Sequence, residues 1–313
     1  KYDTTQFHTR LENTSDNSSM NITGGSFVNQ TVGNTSGVKV GGAIYNSGSS
    51  AKLGDISADF IGNYAISTGG YSAYGGAIYN YYNSTIGDIT GDFIGNYVSA
   101  SVPASASASG GTSAKGGAIY NYYNSTIGNI TGDFIGNYAS VSVSASGGTY
   151  ADGGAIYNLG AAIGDITGDF IGNYAVSDSN SASGGAISTY DNSTIGDITG
   201  DFVGNYAVSD SHFASGGAIS TSDNSTIGDI TGDFVGNFVS GKNVAVGGAI
   251  YNEYSTIGDI SGSFINNTAE SATGTAIGGA IFSTTPINIT ANNSQSVFSG
   301  NKTISNGSVE QNA

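Results

Sequence analysis

Residues 75–97 read Gly-Gly-Ala-Ile-Tyr-Asn-Tyr-Tyr-Asn-Ser-Thr-Ile-Gly-Asp-Ile-Thr-Gly-Asp-Phe-Ile-Gly-Asn-Tyr. Short apolar runs rich in Ile, Tyr, Thr and Phe alternate with Gly-Asp and Gly-Asn corners. Such runs suit strands, because β-branched and aromatic side chains fit a pleated surface. A helix needs a longer periodic stretch and tolerates few glycines. No segment of the chain supports a helix.

The same phrase recurs along the chain. Gly-Gly-Ala begins at Gly41, Gly75, Gly116, Gly153, Gly184, Gly216, Gly247 and Gly278, with successive spacings of 34, 41, 37, 31, 32, 31 and 31 residues. A Phe follows each triplet by 17 to 20 residues, and with the earlier Phe27 the series is Phe60, Phe93, Phe134, Phe170, Phe202, Phe234, Phe264 and Phe298. The third residue after each Phe is Asn: Asn63, Asn96, Asn137, Asn173, Asn205, Asn237, Asn267 and Asn301, with Gln30 in that place after Phe27. Units of this period bury their apolar face only by stacking on their neighbours. The fold is therefore all-β: a right-handed parallel β-helix, or solenoid, of about nine coils of roughly 31 residues with three short strands to a coil. Its hand follows from the rule for parallel crossovers. Coils spaced by about 4.8 Å make a rod of about 43 Å plus its caps. Residues 27–301 carry the repeats, residues 1–26 are expected to form an N-terminal cap, and residues 302–313 a C-terminal tail or cap.

Stacking in register puts like on like. Ile78, Ile119, Ile156, Ile187, Ile219, Ile250 and Ile281 form one column and the Phe series another. Burying each such side chain is worth about 1.5–3 kcal/mol, which offsets much of the ordering entropy of a Gly-rich chain. On a straight strand the Asn three places after Phe would face away from the core. The intervening glycine, as at Gly62, Gly95, Gly136 and Gly172, supplies a bend that turns both inward. An internal Asn ladder is expected, its amides bonded from coil to coil.

Composition narrows the class. The 313 residues include 51 Gly and 20 Tyr, with only 10% charged side chains, and the apolar positions keep register, so the chain reads as one elongated folded domain. It has no Cys, hence no disulfide framework, thiolate metal site or cysteine nucleophile. A thiol-free chain rich in Ser, Thr, Asn and Gly fits bacterial secretion, which places it outside the cell or on its surface. The net charge of −16 excludes charge-driven binding to nucleic acid or to an anionic membrane, and leaves cations or basic partners open. No apolar run is long enough for a membrane helix and no secretory signal is present, so no direct membrane insertion is expected. Lys1 in first place predicts a mature or excised fragment.

The pairing of Gly-Gly-Ala-Ile with Phe-x-x-Asn resembles the repeats of chlamydial polymorphic membrane proteins and related bacterial autotransporter passengers. The resemblance runs from about Phe27 to Asn301. It implies a right-handed β-helix displayed outside the cell, commonly an adhesin, exported through a C-terminal β-barrel. These residues contain no such barrel.

Extra residues fall between Phe-x-x-Asn and the next Gly-Gly-Ala, so they emerge from one edge of the rod. The longest are Val98 to Lys115 and Ala139 to Asp152. They read either as a binding face or as solvated low-complexity loops.

Two Asp columns stand out: Asp55, Asp88, Asp165, Asp197, Asp229 and Asp259, then Asp59, Asp92, Asp133, Asp169, Asp201 and Asp233. Carboxylates about 4.8 Å apart repel by about 0.9 kcal/mol per neighbouring pair even in water. Calcium bridging would relieve that, with Asp55, Asp88, Asp92, Asp165, Asp169, Asp197, Asp201, Asp229 and Asp233 as candidate ligands. Splayed, hydrated side chains at Gly-Asp corners are the alternative. Tyr45, Tyr79, Tyr120, Tyr157 and Tyr251 form a partial aromatic column that continues into Phe282 and is broken by Ser188 and Ser220. A second runs through Tyr64, Tyr97, Tyr138, Tyr174, Tyr206 and Phe238. Exposed ladders would stack on carbohydrate or protein surfaces, whereas packed ones are structural. Asn83, Asn124, Asn192 and Asn224 open Asn-x-Thr triplets, formal acceptors for N-linked glycan, as do Asn129, Asn266, Asn288 and Asn301.

Catalysis is the weaker expectation. Parallel β-helices do include polysaccharide lyases and hydrolases, and Asp88 with Asp92 would be a carboxylate pair. An active site, however, is a single break in a pattern, and these carboxylates recur in almost every coil. His8, His212 and Arg10 lie in no catalytic motif. The expectation is a non-enzymatic extracellular solenoid. Either it assembles with itself head to tail into a fibre, or it is an adhesin passenger that binds a cell-surface protein or glycan.

Overall fold

A computed structural model describes residues 6–7, 9–15, 20–32, 37–103, 111–143, 148–291 and 296–311. Among the described residues there is no helix, and strands stack as parallel coils of about 33 residues through about eight turns, a β-solenoid. The coil length exceeds the basic 31 because the second and third spacings carry the insertions.

One coil shows how the sequence dictates the path. Ile78–Tyr81, Thr85–Ile86, Ile89–Thr90, Phe93–Ile94, Tyr97–Val102 and Thr112–Lys115 follow one another around the rod. These are six short strands where three were expected. Each Gly-Asp or Gly-Asn corner interrupts the chain, as at Gly87, Gly91 and Gly95, so the apolar runs are cut into pairs. Stacked over all coils they build five sheets, of 9, 7, 17, 10 and 8 strands, the Ile89–Thr90 and Phe93–Ile94 positions sharing the largest.

Register is like on like. Ile78 pairs with Ile44 and Ile119, and Phe93 with Phe60 and Phe134. Phe170 and Phe202 lie 4.8 Å apart with their rings 1° from parallel. The Ile and Phe columns form one continuous core. A second cluster, mostly Ala and Val, lies where strands such as Tyr97–Val102 and Thr112–Lys115 of one coil face each other. Small side chains there let the two sheets close.

The second glycine of each Gly-Gly pair is a steric requirement. A Cβ on Gly76 would stand 2.1 Å from the Gly117 carbonyl oxygen of the next coil. Gly75, at φ 60°, makes the turn that precedes it.

The ends depart from the repeat. Leu11–Asn13 pairs with Ile44–Asn46, and Gln6–Phe7 lies in register with Ser26 and Phe27, so the N-terminal residues extend the stack below Phe27. At the other end Lys302–Ser305 folds back on Ser308–Gln311, an antiparallel hairpin in an otherwise parallel array. The stems of the two long insertions are strand, since Tyr97–Val102 and Tyr138–Val143 run six residues where Tyr174–Ser177 runs four. Their tips, 104–110 and 144–147, lie outside the described residues, as does His8.

Candidate functional site

The interior polar groups are structural. Asn63, Asn96, Asn137, Asn173, Asn205, Asn237, Asn267 and Asn301 are all buried. Each bend glycine lies near φ 60°, as at Gly95 and Gly172. Asn173 is typical. Its Nδ2 donates to the Phe134 carbonyl at 2.8 Å and to Asn205 Oδ1 at 3.0 Å, while its Oδ1 accepts from the Asn137 backbone N–H at 2.9 Å and from Asn137 Nδ2 at 3.0 Å. All four bonds available to the amide are made.

A second internal amide column went unread in the sequence: Asn13, Asn46, Asn80, Asn121 and Asn158, linked through their amides. The signal was Asn two places after the column Ile. Thr189 and Thr221 interrupt it, each with a buried Oγ1 that has no partner, before Asn252 resumes.

The Asp columns are single files on the surface. The Oδ1 of Asp55 accepts the Asp88 backbone N–H at 3.1 Å. Asp88 accepts that of Asn129, Asn129 that of Asp165, and Asp165, Asp197 and Asp229 carry the relay on to Asp259. Asn129 fills the gap left in the sequence column. The second file, from Asp59 through Asp92, Asp133, Asp169 and Asp201 to Asp233, repeats the device. Each carboxylate thus caps an N–H of the next coil, which offsets part of the repulsion between neighbours. A file offers two carboxylates to any one gap, whereas calcium takes about six to eight oxygens. Among the described residues no three His, Cys, Asp or Glu side chains gather as a metal site.

The acceptor residues Asn83, Asn124, Asn192 and Asn224 share one exposed corner at φ 55–59°. The residues before them, Tyr82, Tyr123, Asp191 and Asp223, are also left-handed. Ser84 beneath the corner is buried and donates its hydroxyl to the Tyr81 carbonyl. Asn301, in contrast, is buried in the inner ladder.

The outer aromatic column is broken at Ser188 and Ser220. Two columns flank the Gly-Gly corner. Tyr45, Tyr79, Tyr120 and Tyr157 stack in sequence at 5.1–5.5 Å. Beside them, one residue before Gly-Gly, run Val40, Tyr74, Lys115, Asp152, Ser183 and Ser215. Between these columns Tyr74 stacks on Tyr120 at 4.8 Å and Lys115 Nζ stands 4.5 Å over the Tyr157 ring. Over the next two coils, Ser188 and Ser220 stand where Tyr is expected and Ser183 and Ser215 face them across the corner. Tyr190 leans across the gap, its ring 6.0 Å from Tyr157 and tilted by 40°, its hydroxyl 3.4 Å from Ser220 Oγ.

A cavity of about 350 Å³ remains here, lined by Tyr150, Tyr157, Tyr190, Ser183, Asp191 and Asp223 with Lys115 and Asp152. Lys115 Nζ lies 3.0 Å from Asp152 Oδ2 and 3.0 Å from the Tyr157 hydroxyl. Burial alone would lower the Lys115 pKa, but the Asp152 carboxylate outweighs it and holds the ammonium above its ordinary value. Burial pushes the Tyr157 phenol up against the opposing pull of Lys115. The Lys115 ammonium is therefore charged and the Tyr157 phenol neutral at physiological pH. Lys115 and Asp152 occur once each, at the ends of the two insertions, and the sequence reading passed over them because it followed what repeats.

Comparisons with protein-family models, with curated proteins and with solved structures found no match for this chain.

Proposed function

We propose that the chain is a non-enzymatic rod displayed outside the cell, whose aromatic outer surface recognises a cell-surface protein or glycan. The β-solenoid is consistent with a structural or surface repeat protein. The observation that carries the finer reading is the exposure of tyrosines at fixed positions on a rigid frame. Tyr82 and Tyr123 are stacked 5.3 Å apart and more than two-fifths exposed, each held outward by a left-handed backbone. Aromatic side chains are favoured at interfaces, because they offer a large contact area with few rotatable bonds to immobilise when a partner covers them. The recurrence of carboxylates in successive coils supports a role other than catalysis, as does the Lys115–Asp152 pair, whose charges satisfy each other.

Binding of the purified chain to cell surfaces and to immobilised glycans and matrix proteins tests the reading. A Tyr82→Ser/Tyr123→Ser variant should lose that binding. Equal binding by the variant, or release of reducing ends from a polysaccharide by the wild-type chain, would sink it.

A second reading, end-to-end assembly into a fibre, is favoured by the C-terminal end of the stack. Phe298 ends the buried Phe column yet is 48% exposed, beside Val297 at 41%. An apolar end with open strand edges suits a second copy. Filaments in negative-stain electron microscopy would support it, and isolated rods at high protein concentration would refute it.

A further inference from the structure

The gap in the aromatic groove is built like a small-molecule site. We infer that the cavity between Tyr150, Tyr157 and Tyr190 binds a neutral pyranose, its ring lying against tyrosine and its hydroxyls bonded to Asp191, Asp223 and Lys115. This deepens the surface-recognition reading and rests on it for its biological setting.

The position follows from the repeat. Tyr120 covers one face of Tyr157 at 5.4 Å. The next ring in the column is missing, because Ser188 stands in register with Tyr157. Tyr190 tilts over the vacated position and Lys115 Nζ stands 4.5 Å over the Tyr157 ring, so Tyr157 is only 3% exposed and the open aromatic face of the cavity is that of Tyr150, 39% exposed. The apolar face of a sugar ring can lie against that exposed tyrosine. The volume of about 350 Å³ accommodates one sugar ring, and it lies at the lower end of the range of about 300–1,000 Å³ usual for small-molecule pockets.

Charge and hydrogen bonding select the ligand class. One ammonium against the three carboxylates Asp152, Asp191 and Asp223 leaves the cavity two negative charges in surplus, on a chain of net charge −16. An anionic ligand is repelled. An amine would suit Asp191 and Asp223 but leave the remaining Lys115 donor without an acceptor, which a hydroxyl supplies. Asp191 and Asp223 are exposed acceptors at the mouth, whereas an ammonium carries three donors, of which Asp152 and Tyr157 take two. Acceptors and a donor in one cavity match hydroxyl groups, which both donate and accept. The apolar face of a pyranose matches the tyrosines.

The same coils carry Thr189 and Thr221 in place of the interior Asn. Ser188, Ser220, Thr189 and Thr221 change the inner and the outer column together over two successive coils.

The test is titration of the full chain, by calorimetry and ligand-observed NMR, with glucose, galactose, mannose and N-acetylglucosamine. Glucuronate and glucosamine serve as the anionic and cationic controls. At least one neutral sugar should bind saturably. Tyr190→Ser and Asp223→Asn should each weaken it by about 10-fold or more, while Thr167→Ala, at an exposed strand position, leaves it unchanged. Tyr190→Ser copies Ser222, which follows Thr221 as Tyr190 follows Thr189, so the solenoid already accommodates it. Asp223→Asn changes an exposed corner only. No saturation up to about 10 mM, preference for either charged control, or binding that ignores both variants would overturn the inference. Loss of pyranose binding with surface binding intact through Tyr82 and Tyr123 overturns this inference alone. Pyranose binding without any surface binding overturns the surface-recognition reading and leaves this one standing.

Discussion

Asn173→Ala removes a side chain that serves three coils at once. The variant leaves the Phe134 carbonyl without its amide donor, and the Asn137 backbone N–H and one Asn137 amide proton without their acceptor. All of these sit where Asn137 and Asn173 have no solvent access. An orphaned buried polar group costs about 1–2 kcal/mol in such a setting, so three orphans predict a loss of about 3–6 kcal/mol. That is a large part of the total of about 5–15 kcal/mol typical of a domain. Stability in a solenoid is a sum of coil and interface contributions, so the damage should be local. Hydrogen exchange read by mass spectrometry should show protection falling first in peptides spanning 134–137 and 170–205, and urea unfolding should shift to lower denaturant or split into two steps. Thr167→Ala, on an exposed strand position, is the control and should stay within about 0.5 kcal/mol. An Asn173→Ala loss below about 1 kcal/mol, or protection lost evenly along the rod, would refute the idea that the amide ladder holds adjacent coils together.

Further outcomes follow from the same geometry. Phe170→Ala should cost about 3–5 kcal/mol in urea unfolding, whereas Phe298→Ala, half exposed at the end of the column, should cost much less. Gly154→Ala should prevent folding of its coil, because the new Cβ would stand 2.1 Å from the Gly185 carbonyl oxygen. Gly172→Ala meets nothing within 4 Å but holds φ 61°, so it should cost only about 1–2 kcal/mol by thermal melting. Burial, followed by its neighbours Tyr174 and Tyr97, pushes Tyr138 up from 10.0 to about 12. The folded state thus favours the neutral phenol, and its contribution should be intact below pH 10 and lost as pH rises through about 12, visible as phenolate absorbance that rises together with unfolding. Addition of EDTA should leave the melting temperature in place, given the single-file Asp columns; a fall of more than about 5 °C would establish a bound cation as part of the fold.

The fold was legible because repetition turns sequence spacing into spatial register. Once Gly-Gly-Ala and Phe-x-x-Asn recur together, each residue's neighbours are its counterparts one coil away, and the Ile, Phe and Asn columns can be written down without coordinates. The same logic misled on detail. Three strands per coil were expected because apolar runs were counted whole, whereas each Gly-Asp and Gly-Asn corner divides a run in two. Asn129 was omitted from an Asp column because the reading followed charge, while the position requires only an oxygen that accepts the next coil's N–H.

Sequence alone therefore determined the solenoid, its register and its core, since these depend on contacts between identical positions. The candidate site depended on contacts between different positions. Lys115 and Asp152 share one repeat position in successive coils, but Lys115 meets Tyr157, and Tyr157 meets Tyr190, from different positions that no periodicity links. Only the tertiary structure decided that two missing tyrosines would leave a cavity, that Tyr190 would lean across it, and that a buried ion pair would stand beside it. What the repeat makes identical can be read along the chain; what breaks the repeat takes its meaning from the neighbours that folding brings to it.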